Sequence, residues 1–215
     1  MTQVIFVRHG QTNGNLEGRW QGWSDTPLNE VGRRQAELVA KRLEELRGQV
    51  QALYSSPLSR AYQTAQAIAD RLGLPVRLVT DLREFHFGII EGMTTTEIEA
   101  QYPELLARWR DRDDLAFGYP GGENKVGFAQ RIADTFDLLV ARHPDETIIV
   151  VSHGGPLRAM LSHYFPQERT LWQGFTPGNC SLTTLNINGN GPQLLMVDDQ
   201  EHLKELEATL TYSYR

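Results

Sequence analysis

Two His-Gly pairs, each reached almost directly from an apolar run, are the residues of this chain best suited to chemistry. Val4 to Val7 leads through Arg8 to His9-Gly10, and Ile148 to Val151 leads through Ser152 to His153-Gly154. An imidazole can serve as nucleophile, base or proton carrier near neutral pH. Beside the first stands Arg8, whose planar guanidinium suits phosphate oxygens, and Arg60 lies in the first turn of a predicted helix. That turn and the one opened by Gly154 each offer free backbone amides and the positive end of a helix dipole. Two arginines, two histidines and two helix starts would make a local positive pocket, and its natural guest is a phosphate. A lone histidine is more simply read as a core or capping residue; the company of these two changes the reading.

The elements that must position them follow from periodicity. An apolar β-branched run reads as a buried strand of a parallel sheet, and ligands in open α/β sheets bind beyond the carboxyl ends of the strands. Further strands are predicted at 52–56, 75–79 and 147–151, with a hairpin built from 181–187 and 193–197 around Asn-Gly turn residues. Helical spacing recurs within 29–47, from Leu58 to Leu72, around 94–101, after Pro103, within 123–141 and from Gly154 to Phe165. Ser56-Pro57 reads as an N-cap and first helical position, and residues 10–27 as a polar, Gly-rich loop.

Bulk composition narrows the function classes. With 215 residues, 40% hydrophobic and 22% charged, the chain can bury one sizeable core and is expected to form a single domain over 1–215. A net charge of −6 argues against a nucleic-acid or anionic-lipid partner, and no run approaches the ~20 apolar residues of a membrane span. The single cysteine, Cys180, allows no intrachain disulfide, so the expectation is a cytoplasmic protein. His143, His163 and His202 lack metal-ligand spacing, and neither a metal nor another cofactor is expected.

Five ordered segments then carry a resemblance: residues 8–36 beginning RHGQTNGN, SSPLSRAYQTA at 55–65, LREFHFGIIEG at 82–92, PGGE at 120–123 and VSHGGPLRA at 151–159. Together, with NCSLTTL at 179–185, they are similar to the histidine phosphatase superfamily, also called phosphoglycerate mutase-like. The resemblance implies a three-layer α/β/α sandwich with a mostly parallel central sheet. It implies that His9 is the nucleophile, attacking phosphorus to give a phosphohistidine that water hydrolyses. It implies that Glu84 is the proton donor for the leaving oxygen, and that Arg8, Asn15, Gln21, Gly22, Arg60, His153 and Gly154 border the phosphate. Arg8, Arg60 and a charged His153 would each lower the proton affinity of His9 by like-charge repulsion. His86 stands where many relatives carry an acid.

The functional reading is a metal-independent phosphatase of small phosphate monoesters. A cofactor-dependent phosphoglycerate mutase is the alternative, disfavoured because the segment from Glu84 to His153 is short and carboxylate-binding cations are scarce near the motifs. Arg19, Arg33, Arg34 and Arg83 are the candidates, with Arg33 and Arg34 expected on a solvated helix face. A non-catalytic phospholigand-binding domain is a further alternative, against which His9 and Glu84 are both present. Trp20, Trp23, Phe85, Phe87, Trp172 and Phe175 could wall a leaving-group pocket, Trp172 and Phe175 fitting a core better. By analogy the family also allows a homodimer.

Overall fold

The two runs that lead to the histidines form strands with both faces covered. In the computed structural model, which describes residues 1–206, β1 (Thr2–Arg8) sends Ile5 and Val7 into one hydrophobic cluster and Val4 and Phe6 into another. Later in the chain, β4 (Thr147–Ser152) divides Ile149 and Val151 from Ile148 and Val150 in the same way. Alternation of side chains across a strand, with apolar residues on both sides, is what a central position in a layered sheet demands.

The chain order begins with β1, a one-turn helix α1 (Asn13–Leu16), α2 (Glu30–Leu43), β2 (Val50–Ser55), α3 (Ser59–Leu72) and β3 (Val76–Leu78). It continues through α4 (Thr95–Gln101), α5 (Pro103–Arg110), α6 (Lys125–Arg142) and β4 to α7 (Gly154–Tyr164), α8 (Arg169–Gly174), β5 (Leu182–Asn188) and β6 (Gly191–Asp199). The sheet order is β3-β2-β4-β1-β5-β6. The first four strands run parallel, and β5 and β6 add antiparallel neighbours at the β1 edge. Helices α2 and α3 cover one face through Val39, Leu43, Ala61, Ala65, Ile68 and Leu72. Helices α6 and α7 cover the other through Ile132, Phe136, Leu139, Leu157 and Met160. The expected three-layer sandwich with a mostly parallel sheet is present, and its helices show the predicted spacing.

The excursion between β3 and β4 carries a third cluster of its own, in which Phe85, Phe87, Ile90, Ile98, Leu106, Phe117 and Tyr119 pack together. Trp20 and Trp109 lie against this cluster, each meeting Phe87 edge-on. The third cluster supports the segment that includes Glu84.

Two local expectations fail, and one element has no counterpart among the expectations. The helix after β2 starts at Ser59 with Leu58 as N-cap, not at Pro57 after a Ser56 cap. Asp25 satisfies the helix start in place of Ser56, since its Oδ1 accepts the Ser59 amide at 2.6 Å and its Oδ2 the Ser59 hydroxyl at 2.7 Å. The loop expected over 10–27 contains α1, closed by a capping box in which Thr12 and Asn15 satisfy each other. Helix α8 was not legible as a helix because its six residues are shorter than two turns.

Candidate active site

Register explains why two imidazoles 144 positions apart meet. Arg8 pairs with Ser152 across the parallel β1 and β4, so the next residue of each strand emerges side by side at the carboxyl rim, and the His9 amide donates to the Ser152 carbonyl at 2.9 Å. The rings of His9 and His153 lie 5.1 Å apart between centroids. Strand β2 pairs with β4 on its other side, and the Ser56 amide continues that ladder to Val151. Three adjacent strand ends thus deliver His9, His153 and Ser56 to one place.

The hydrogen bonds fix each ring's tautomer. His9 Nδ1 faces the Gly10 carbonyl at 2.7 Å, and a carbonyl can only accept, so Nδ1 carries the proton and Nε2 the lone pair. His153 Nδ1 accepts from Arg60 Nε at 3.2 Å, which leaves its Nε2 to donate to Ser56 Oγ at 2.8 Å. Burial, then Arg60 and Arg8, hold the His9 pKa well below that of a free histidine. For His153 the causes are burial, Arg60, His9 and Arg8, with the same result. The expectation of a charged His153 is therefore corrected: the second ring is neutral, because a protonated Nδ1 could not accept from Arg60.

Arg60 comes from the first turn of α3 and is 1% exposed. Its Nη1 donates to the Ser24 carbonyl at 2.8 Å and its Nη2 to the Gly22 carbonyl at 2.7 Å, so the second hydrogens of both nitrogens remain. Burial lowers its pKa to about 10, which leaves it cationic at neutrality. Gly22 adopts a φ of +52°, and a Cβ there would overlap the Glu91 carboxylate, so only glycine lets this carbonyl turn towards Arg60. Arg8 Nη1 donates to the Pro177 carbonyl, and its buried Nε finds no partner among the described residues. That Nε points to the start of α7, 3.9 Å from where a Cβ on Gly154 would stand. A buried cationic N–H without an acceptor at a helix N-terminus is suited to an anion's oxygen.

Asn15 Oδ1 accepts from the Thr12 amide at 3.1 Å and from Asn179 Nδ2 at 3.3 Å, which leaves Asn15 Nδ2 as a donor. Gln21 Oε1 accepts from Thr12 Oγ1 at 2.9 Å. The two helix N-termini differ from expectation. That of α3 is already engaged by Asp25, as above. That of α7 takes the Glu84 carboxylate, whose Oε2 accepts the Gly155 amide at 3.1 Å while Oε1 accepts the Phe85 amide at 2.9 Å. A Cβ on Gly155 would overlap Glu84 Oε1, so this close docking needs a glycine.

Asn179, Thr64 and Arg131, which lie around the site, were not singled out from sequence. Asn179 Nδ2 donates to the His9 carbonyl at 2.9 Å, and Thr64 Oγ1 accepts the Gly10 amide at 3.0 Å. Arg131 gathers the acid's loop, donating to the carbonyls of Asp81 at 2.6 Å, Arg83 at 3.0 Å and Glu84 at 3.2 Å. It is paired with Glu123 at 2.6 Å, whose Oε1 also accepts the His86 amide. Trp23 Nε1 donates to the Glu84 carbonyl at 2.8 Å, its ring stacked between the Arg83 guanidinium and the His86 ring. The PGGE segment was a signal for Glu123; nothing local signals Arg131.

Other expectations sort cleanly. His143 is held by Tyr54 and Glu146, His163 by Asp137 at 3.0 Å, and His202 by the Cys180 carbonyl at 3.0 Å. Trp172 is buried in the core cluster on the α6 and α7 face, and Phe175 packs against it. Arg19 pairs with Glu17 and Glu97, Arg34 pairs with Glu30, and Arg33 donates to the Leu28 carbonyl. Among the described residues no group of three or more His, Cys, Asp or Glu side chains is placed to hold a metal ion, and no helix is long and apolar enough to cross a membrane.

Known proteins resemble this chain in sequence and in fold. The family model of the histidine phosphatase superfamily (branch 1) matches residues 4–200. Phosphoserine phosphatase 1 of Hydrogenobacter thermophilus is 32% identical over 205 residues, covering 95% of this chain and 96% of that protein. Glucosyl-3-phosphoglycerate phosphatase of Mycobacterium tuberculosis is 36% identical over 193 residues, covering 86% and 85%. The crystal structure of phosphoserine phosphatase from Entamoeba histolytica, in complex with 3-phosphoglyceric acid, superposes with a TM-score of 0.81 at 32% identity, covering 94% of this chain and all of that one.

Proposed function

The chain belongs to the histidine phosphatase superfamily, and from that premise we propose that it hydrolyses small phosphate monoesters through a phosphohistidine formed on His9. The observation that carries the proposal is the tautomer of His9. Its Nδ1 is committed to the Gly10 carbonyl, so an unprotonated Nε2 is available for in-line attack. Arg8 and Arg60, with Asn15 and the Gly154 amide, would bind the phosphoryl oxygens and stabilise the charge on them as it transfers. Gln21 and Gly22 act one layer out: Gln21 braces Thr12 and Gly22 aims Arg60. His153 completes the wall as a neutral ring.

In the first step the His9 Nε2 to phosphorus bond forms, the ester P–O bond breaks, and Glu84 in its protonated form gives a proton to the leaving oxygen. In the second step water attacks the phosphohistidine, Glu84 takes a proton from that water, the P–N bond breaks and phosphate leaves. The relatives named phosphoserine and glucosyl-3-phosphoglycerate phosphatase support a hydrolase whose leaving group carries a carboxylate. A homodimer is compatible with this reading and is tested by sedimentation.

The test is release of inorganic phosphate from an aryl phosphate in the presence of EDTA. Turnover that survives the chelator and disappears in His9→Ala is expected. Faster interconversion of phosphoglycerate isomers than phosphate release, in the presence of a bisphosphoglycerate primer, would overturn the phosphatase reading in favour of a mutase.

A further inference from the structure

Beyond Glu84 the molecule opens into a groove that the chemistry above does not use. Gly155, which touches the Glu84 carboxylate, lines it together with Phe85 and Phe128. From there a cavity of about 650 Å³ runs between α5, α6, α7 and α8, a size suited to a ligand much larger than a phosphate. Part of its lining is apolar, with Phe87, Trp109, Ala129 and Ala159 as well as the two phenylalanines.

Charge sets this groove apart from the rest of the surface. The chain has 27 acidic against 21 basic residues, yet the groove is lined by Arg110, Arg112, Lys125, Arg158 and Arg169 and, among the described residues, by no Asp or Glu. Arg110 is paired with Glu99, and Lys125 donates to the carbonyls of Arg108 and Asp111. Arg112, Arg158 and Arg169 have no carboxylate partner among the described residues, and Arg158 makes only a 3.4 Å bond to the Phe175 carbonyl. Three arginines without countercharge, from the α5–α6 connection, α7 and α8, raise the local positive potential and favour an anionic guest.

We infer that this groove receives the leaving group, and that the leaving group is an alcohol with an extended apolar body ending in an anionic acid group. The inference rests on the reading that Glu84 protonates the leaving oxygen. That oxygen must lie within hydrogen-bond reach of Glu84, and the groove begins at the residues that touch Glu84. An apolar chain laid along Phe85 and Phe128 would bring a terminal acid to Arg112, Arg158 and Arg169. Bidentate guanidinium contacts to an acid are strong and geometrically selective.

A matched pair of substrates tests this: hexyl phosphate and 6-(phosphonooxy)hexanoate, which differ only in the terminal carboxylate, with phenyl phosphate as a short neutral reference. The wild-type protein is expected to give a kcat/KM at least tenfold higher for the carboxylated ester at low ionic strength. The double variant Arg112→Gln/Arg169→Gln is expected to reduce that ratio at least fivefold. Turnover of phenyl phosphate together with a wild-type ratio of one or less would overturn the subsite and leave the phosphatase reading intact. A ratio unchanged in the variant would likewise remove these arginines from it. No hydrolysis of any of the three esters would instead overturn the phosphatase reading, and the subsite with it.

Discussion

The phosphate side and the leaving-group side of the site are built by different means. On the phosphate side, His9, His153 and Ser56 follow directly from three neighbouring parallel strands, and every ring nitrogen but the attacking one has a fixed partner. On the leaving-group side, Glu84 sits in a loop between β3 and α4 that Arg131, Glu123 and Trp23 tie down from elsewhere, above a separate aromatic cluster. Strand register makes the first rigid by default, since no single side chain can shift it. The second can be rebuilt by changing an excursion of the chain without disturbing the sheet. On the proposed mechanism, attack on phosphorus would belong to the fold and selection among alcohols to what is attached to it.

Substitutions on the two sides should differ in size and in substrate dependence. His9→Ala removes the proposed nucleophile and should lower phosphate release roughly 10³-fold or more for every ester, aryl and alkyl alike, in steady-state assays. A loss confined to alkyl esters would place His9 on the wrong side of the comparison. Glu84→Gln should cost an alkyl phosphate on the order of 10²–10⁴ in kcat, yet cost p-nitrophenyl phosphate far less, because its phenolate leaves without a proton. Equal losses on both substrates would show that Glu84 does not protonate the leaving oxygen.

A smaller effect is expected from Arg131→Ala, which frees the acid's loop but touches no phosphate ligand. It should lower kcat for alkyl esters about tenfold with little change in KM, while the aryl ester is nearly unaffected; uniform loss on both would mean a general folding defect. The smallest effect is on stability. Because His9 and His153 stay neutral in the fold while free histidine titrates near 6.5, the unfolded chain binds more protons below that pH. Stability is therefore full above pH 6.5 and falls below it, by roughly 1.4 kcal/mol per pH unit for each of the two rings. Urea melts between pH 7.5 and 5.5 measure this, and the decline should weaken in His9→Asn.

The same contrast governs what the sequence reveals. Arg8-His9 and Ser152-His153 were legible because each ends a run whose composition announces a buried strand, so a local signal places each imidazole at the sheet rim. Arg60 was legible from helical spacing, and Glu84 only through resemblance. The capping of α3 by Asp25 was not legible, because Ser56 is the better local candidate and the winning carboxylate lies 34 residues before Ser59. Arg131 reaches Glu84 across 47 residues and lies on a helix whose pattern advertises only its apolar face. The groove's arginines are spread over several elements, so no segment shows their concentration. His153 was placed correctly but charged wrongly, since its protonation is set by Arg60 through a contact that spacing does not disclose.

The central claim is that His9 Nε2 becomes phosphorylated, and rapid alkaline quenching of the wild-type protein with an aryl phosphate, followed by mass spectrometry and phosphorus NMR of the trapped adduct, tests it directly. A phosphoramidate on His9, attached at Nε2, is expected, formed in a burst and absent from His9→Ala. Phosphate carried by any other residue, or steady turnover under saturating substrate with attachment at His9 Nδ1, would contradict it.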